Sequence, residues 1–140
     1  MEIVVEHKAV ELKNRTKGFA LRIIRLIHAL PPGLESKIVG YQLLRSGTSV
    51  AANYRAVCRA RSRADFVSKL GVVIEEADES AFWLELLSDA QLVPQAKLKD
   101  LYSEPNQLVA IFNASRMTAK QGFQSTINNQ KSTIQRRRSS

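Results

Sequence analysis

The sequence contains a single cysteine, Cys58, in 140 residues. One thiol excludes an internal disulfide framework. It suits a reducing compartment, so a cytoplasmic protein is expected, with Cys58 as a small packing residue in a helix. Aromatic residues make up 6% and glycines number six. A core of Leu, Ile, Val and Ala favours helices over a β-sandwich. The most apolar segment, FALRIIRLIHAL, is broken by Arg22 and Arg25 and is too short to span a bilayer, so no membrane partner is expected. The opening MEIVVEHKAVELK carries acids through its apolar start, unlike a signal peptide. The histidines, His7 and His28, do not follow a glutamate by three residues, so the Glu-x-x-His of di-iron bundles is missing. There is no Gly-rich phosphate loop, Gly-x-Ser-x-Gly or Cys-x-x-Cys. Nor is there a helix-turn-helix signature or an RNA-binding aromatic motif. These absences point away from an enzyme, a cofactor and a metal site.

What is plentiful is positive charge, with a formal net charge of +8 and a pI near 10.0. Such a balance favours an anionic partner, nucleic acid first. Four of the cations, Lys131, Arg136, Arg137 and Arg138, sit in a terminal segment without acids, and the rest of the chain carries about +4.

Periodicity predicts four amphipathic helices. Phe19, Ile23, Leu26, Ile27 and Leu30 form one stripe, with Asn14 or Thr16 as the expected cap and Pro31-Pro32-Gly33 as the stop. A second helix is expected from Leu34 to about Arg61, with Leu34, Ile38, Tyr41, Leu44, Val50, Tyr54 and Val57 as its larger apolar positions. Gly47 in its interior costs about 1 kcal/mol against alanine, which predicts a close backbone approach there. Ser62 reads as the cap of a third helix, with Asp65 three residues on. That helix carries Phe66, Leu70, Val73, Ile74, Ala77, Ala81, Leu84 and Leu87. A fourth begins near Pro94, and Pro105 is expected to kink or split it, with Ser103 capping a restart. The resulting fold class is all-α, an antiparallel up-down-up-down four-helix bundle over 14–120. An N-terminal extension over 1–13 and a basic, disordered tail over 121–140 flank it.

Charge divides sharply between the middle helices. Arg45 to Lys69 holds six bases and one acid, whereas Leu70 to Asp89 holds six acids and no base. An antiparallel hairpin closing near Ser62 pairs positions whose numbers sum to about 124–128, which sets Arg45 opposite Glu79 and its neighbours. Arg45 is therefore the expected structural arginine, held by Glu79 or Glu75 in a bidentate pair. Glu75 and Glu79 read as its counterions rather than as a general acid/base pair. Arg55, Arg61 and Arg63 have no obvious acid opposite, and Arg59 lies near Asp65. These four are the candidates for contacts to nucleic acid. Phe82 and Trp83 are adjacent and lie roughly 100° apart around a helix, so both cannot face one interior, and this pair marks a candidate oligomer interface.

The runs NRTKGFALRIIRLIHALP, QLLRSGTSVAANYRAVCRARSRADFVSKL, EEADESAFWLEL and NQLVAIFNASRMTAK resemble the four-helix-bundle family of proteins encoded in 23S rRNA intervening sequences. The superfamily also includes the accessory variability protein of diversity-generating retroelements. The matching positions are Gln42, Arg45, Ser46, Ser49, Asn53, Arg59, Arg63, Phe66, Glu75, Glu79, Trp83 and Glu85. Pro105 departs from the pattern, standing where the family usually continues the helix. The resemblance implies a small cytoplasmic bundle that forms a homopentameric ring, without catalytic residues. In its retroelement branch it implies binding of nucleic acid and of a reverse transcriptase. The expected function is a non-enzymatic homo-oligomer that binds RNA or DNA with little sequence preference. The alternative is a protein-interaction scaffold docking a reverse transcriptase or an RNA-processing partner.

Overall fold

The computed structural model describes residues 2–139, with side chains for 7–122 and 126–139. Four helices follow one another: α1 (Glu2–His28), α2 (Leu34–Val57), α3 (Arg63–Asp89) and α4 (Gln95–Ser139). They form a four-helix bundle, without a strand among the described residues. α3 lies between α2 and α4 and packs broadly on both, while α1 rests mainly on α2 and touches α4 only lightly. The core fills with Phe19, Ile23, Leu43, Val50, Leu70, Val73, Leu84, Leu87, Leu98, Leu108 and Phe112. Tyr54 and Phe112 meet across it with ring centroids 5.4 Å apart.

The turn from α2 to α3 follows from Ser62. Its backbone is extended and its hydroxyl accepts the Asp65 N–H at 3.0 Å. That capping geometry takes the chain off the helical path before α3, so α2 ends at Val57 rather than near Arg61. At the far end of α3 the chain closes in a Schellman motif. Gln91 adopts φ 58°, its N–H reaches the Ser88 carbonyl, and the Leu92 N–H reaches Leu87 at 3.0 Å. Glycine usually fills that left-handed position, so glutamine there left no visible signal in the sequence.

Several expectations are corrected. α1 begins at Glu2, so the segment 1–13 is not set apart from the first helix. Thr16 does not cap it: the side chain is buried and its hydroxyl donates back to the Leu12 carbonyl at 2.8 Å, as threonine can inside a helix. Ser103 likewise donates to the Asp100 carbonyl, and α4 passes through Pro105 unsplit. Pro105 is itself buried, so packing compensates for the missing N–H. α4 also continues helically to Ser139 in place of a disordered tail, with every side chain from 128 to 139 exposed. No glycine or proline interrupts it after Gly122. Met1 and Ser140, at the outer ends of the two flanking segments, lie outside the described residues.

The largest correction concerns α2. Leu34, Ile38 and Tyr41 are 69%, 54% and 65% exposed. The buried row is instead Ser36, Gly40, Leu43, Gly47, Val50, Tyr54 and Val57, joined by Ser46. Small residues win this face because α1 approaches so closely. A Cβ on Gly47 would stand 3.0, 3.3 and 3.4 Å from three atoms of Ile23, and one on Gly40 would stand 3.1 Å from Leu30 Cδ1. The close approach expected at Gly47 is therefore present, and its partner is α1.

Candidate nucleic-acid interface

The α2–α3 seam fixes the site. Ser46 and Ser80 are fully buried, and their hydroxyls lie 3.0 Å apart. One residue earlier on each helix, Arg45 Nη2 donates to Glu79 Oε2 at 2.5 Å. Both pairs satisfy the antiparallel register expected from the sequence. The second carboxylate on Arg45 belongs to Glu76, at 3.5 Å, and not to Glu75, which is exposed. Glu76, Glu79, Ser80 and Trp83 recur at helical spacing on one face, whereas Glu75 is turned roughly 100° from Glu76. The Arg45 side chain keeps 40% of its exposure, so this is a surface cluster rather than a buried ion pair.

The two carboxylates respond oppositely to the shared arginine. The hydrogen bond from Arg45 holds Glu79 below its ordinary value, with help from Trp83, whose Nε1 donates to Glu79 Oε1 at 3.3 Å. Burial raises Glu76, and the long contact to Arg45 does not offset it. Trp83 is turned partly inward against the core, while Phe82, in edge contact with it at 4.9 Å, is 52% exposed.

Toward the tip the acids run out. Ala52, Arg55, Ala56, Arg59, Arg61 and Lys69 line one shallow groove between α2, the connection and α3. Three of the four arginines named from the sequence thus come together, Arg55 from α2 and Arg59 and Arg61 from the connection. Lys69 was not among them. The hairpin register sets it opposite Arg55, but its position four residues after Asp65 reads as an ordinary helix pair, and Lys69 Nζ does donate to Asp65 Oδ2 at 2.9 Å. Asp65 also accepts the Arg61 backbone N–H at 3.1 Å. These two bonds, that from Lys69 first, hold its carboxyl below the usual range. Asp65 is therefore engaged by Lys69 and Arg61 rather than by Arg59.

Arg63 stands apart from the groove. It lies over Gly122 of α4, where a Cβ would come 2.9 Å from its Nη1. A second arginine missed from the sequence does similar work on the same seam: Arg116 Nε donates to the Val67 carbonyl at 3.2 Å and lies over Gly71. A third, Arg15, ties α1 to α4 through Glu104 at 2.5 Å and Gln107 at 2.8 Å. Glycine on one helix opposite arginine on another is a signal that only a known helix register would expose.

Among the described residues no group of three His, Cys, Asp or Glu side chains is placed to hold a metal ion. Tyr54, raised by its burial and then by Cys58, is part of the core rather than of a cleft. Among the described residues no helix is long and apolar enough to cross a membrane.

The model of the 23S rRNA-intervening sequence protein family matches residues 8–114. A similar solved structure, at 1.70 Å, is that of a protein with unknown function from the S23 ribosomal protein family, from Bacteroides thetaiotaomicron VPI-5482. The two chains are 32% identical and superpose with a TM-score of 0.71, over 79% of this chain and 98% of the other. No curated protein matches the chain. With its four-helix fold and a family match over most of its length, the chain belongs to the 23S rRNA-intervening sequence protein family.

Proposed function

We propose that this chain is a non-enzymatic, self-associating bundle that binds nucleic acid through the arginines at its α2–α3 tip. The observation that carries the reading is the groove of Arg55, Arg59, Arg61 and Lys69, where Asp65 is the nearby acid and Lys69 and the Arg61 N–H already occupy it. Phosphate oxygens supply the acceptors that guanidinium groups bind best, and a groove without a base-reading motif gives low sequence preference. Arg63 adds a cation at the same end of the bundle.

Self-association into a ring, a homopentamer in the closest reading of the resemblance, is supported by apolar surface away from the tip. Phe82 is exposed beside Trp83, and Leu34, Ile38 and Tyr41 form an uncovered row on α2. The same row favours a second reading, a scaffold that docks a protein such as a reverse transcriptase or an RNA-processing enzyme. It borders an apolar groove lined by Ile27, Leu30, Pro31 and Leu44. A likeness to the accessory proteins of retroelements, and a cytoplasmic location, go with either reading.

The test is titration of fluorescent RNA and DNA with the parent and with the variant Arg55→Ala/Arg59→Ala/Arg61→Ala, across salt, with light scattering of the same samples for the oligomer mass. The parent is expected to bind as an oligomer, with affinity falling steeply in salt. The variant should keep its mass and lose about 2.7 from the salt slope, near 0.9 per phosphate contact removed. Equal binding by parent and variant would remove the assignment of these arginines. A monomer indifferent to nucleic acid would remove the whole reading.

A further inference from the structure

The cations at the end of α4 belong to the same end of the molecule as the tip groove. Arg116 meets Val67 and Gly71, and Arg63 meets Gly122, so α4 passes the start of α3 at Gly122 and runs on beyond it. From Gly122 the helix carries Lys131 and then Arg136, Arg137 and Arg138, all exposed. At 1.5 Å per residue these three arginines stand about 21–24 Å past the level of Arg63. Two clusters of cations are thus set at one end of the bundle, one at the tip and one farther out along α4.

We infer that the nucleic acid is a duplex, held by its phosphates at both clusters at once. The inference rests on the reading given above and adds the form of the ligand. That rise beyond Arg63 matches six or seven base pairs at about 3.4 Å each, a length over which a duplex stays stiff. A single strand is normally held by aromatic platforms on which its bases stack. The groove lining consists of alanine, arginine and lysine, and among the residues whose side chains are described the exposed aromatics Tyr41, Phe82 and Tyr102 lie elsewhere. The shared chemistry is a regular double row of phosphates, which RNA and DNA duplexes both present.

The experiment uses the full chain and Arg136→Ala/Arg137→Ala/Arg138→Ala, whose substitutions fall on exposed positions. Anisotropy is measured with RNA and DNA duplexes of about 16 base pairs, with hairpins whose stems have about five base pairs, and with a uridine oligomer of about 16 nucleotides. The probe lengths bracket the rise of about 21–24 Å from the level of Arg63 to the end of α4. The parent should prefer a long duplex to the single strand, and the RNA and DNA arms identify which duplex is favoured. The variant should weaken the long duplex on the order of tenfold, with a lower salt slope, and leave the short stem within about twofold. Equal affinity for single strand and duplex, or a variant that weakens both stem lengths alike or neither, overturns the two-cluster duplex while leaving tip binding intact. Failure of the parent to bind any probe overturns the underlying reading as well.

Discussion

Gly47→Ala is the substitution whose outcome the packing decides most directly. In an exposed helix interior, alanine is favoured over glycine by about 1 kcal/mol. At Gly47 the new Cβ would meet Ile23 at 3.0, 3.3 and 3.4 Å, and the atoms it meets include Ile23 Cβ itself. A contact that close to the backbone of α1 cannot be relieved by swinging a flexible end. Overpacking of this kind costs about 1–3 kcal/mol, so the net expectation is a loss of about 1 kcal/mol. Gly18, also inside a helix, has nothing within 4 Å of its Cβ position. Gly18→Ala should therefore gain up to about 1 kcal/mol. Gly40→Ala should fall between, because its nearest neighbour is the mobile Cδ1 of Leu30 at 3.1 Å. The assay is urea unfolding followed by circular dichroism, at one fixed protein concentration, because the proposed self-association would make stability depend on concentration. An added arm places Gly47→Ala in an Ile23→Ala background. Ile23→Ala alone should cost about 2–5 kcal/mol, and in the space it vacates Gly47→Ala should become stabilising. If Gly47→Ala raises the midpoint as much as Gly18→Ala does, the α1–α2 contact is not close, and the account of which α2 face is buried fails with it.

Glu76 and Glu79 should respond to charge removal with opposite signs. The folded value of Glu79 is lowered by Arg45, so its contribution is present above the unfolded carboxylate range, near pH 4.3, and is lost as pH falls through the folded value. Glu79→Gln should therefore destabilise at neutral pH, with the difference from the parent vanishing in acid. Glu76 is raised by burial, so its charge opposes folding at neutral pH, and Glu76→Gln should be neutral or stabilising there, with the advantage shrinking as the parent protonates. Unfolding curves at neutral and acid pH check both, and a larger neutral-pH loss for Glu76→Gln than for Glu79→Gln would reverse the assignment. Ser46→Ala and Ser80→Ala should each cost about 0.5–1.5 kcal/mol. The double variant should cost less than the sum, because the bond between the two hydroxyls is removed by either single substitution and can be lost only once. Strict additivity in that cycle would show that the two hydroxyls do not interact.

Whatever depends on local chemistry and period could be read from the residues alone. The stripe of α3 from Leu70 to Leu87 is buried as its spacing requires, and Ser62 caps that helix because its hydroxyl matches a nearby N–H. The α2–α3 register was legible from hairpin length, to within the few residues that separate Glu75 from Glu76. Tertiary structure decided the rest. α2 carries two rows at heptad-like spacing, one of Leu34, Ile38 and Tyr41 and one of Ser36, Gly40, Leu43 and Gly47. Hydrophobicity favours the first, yet the second is buried, because only small side chains let α1 approach to contact. Pro105 stays inside α4 because neighbouring helices bury it. The cationic groove draws on α2, the connection and α3, so no single stretch of chain announces it. Local sequence encodes which helices form. Which faces touch, and which charges are left to meet a partner, follows from how closely the helix backbones can pack.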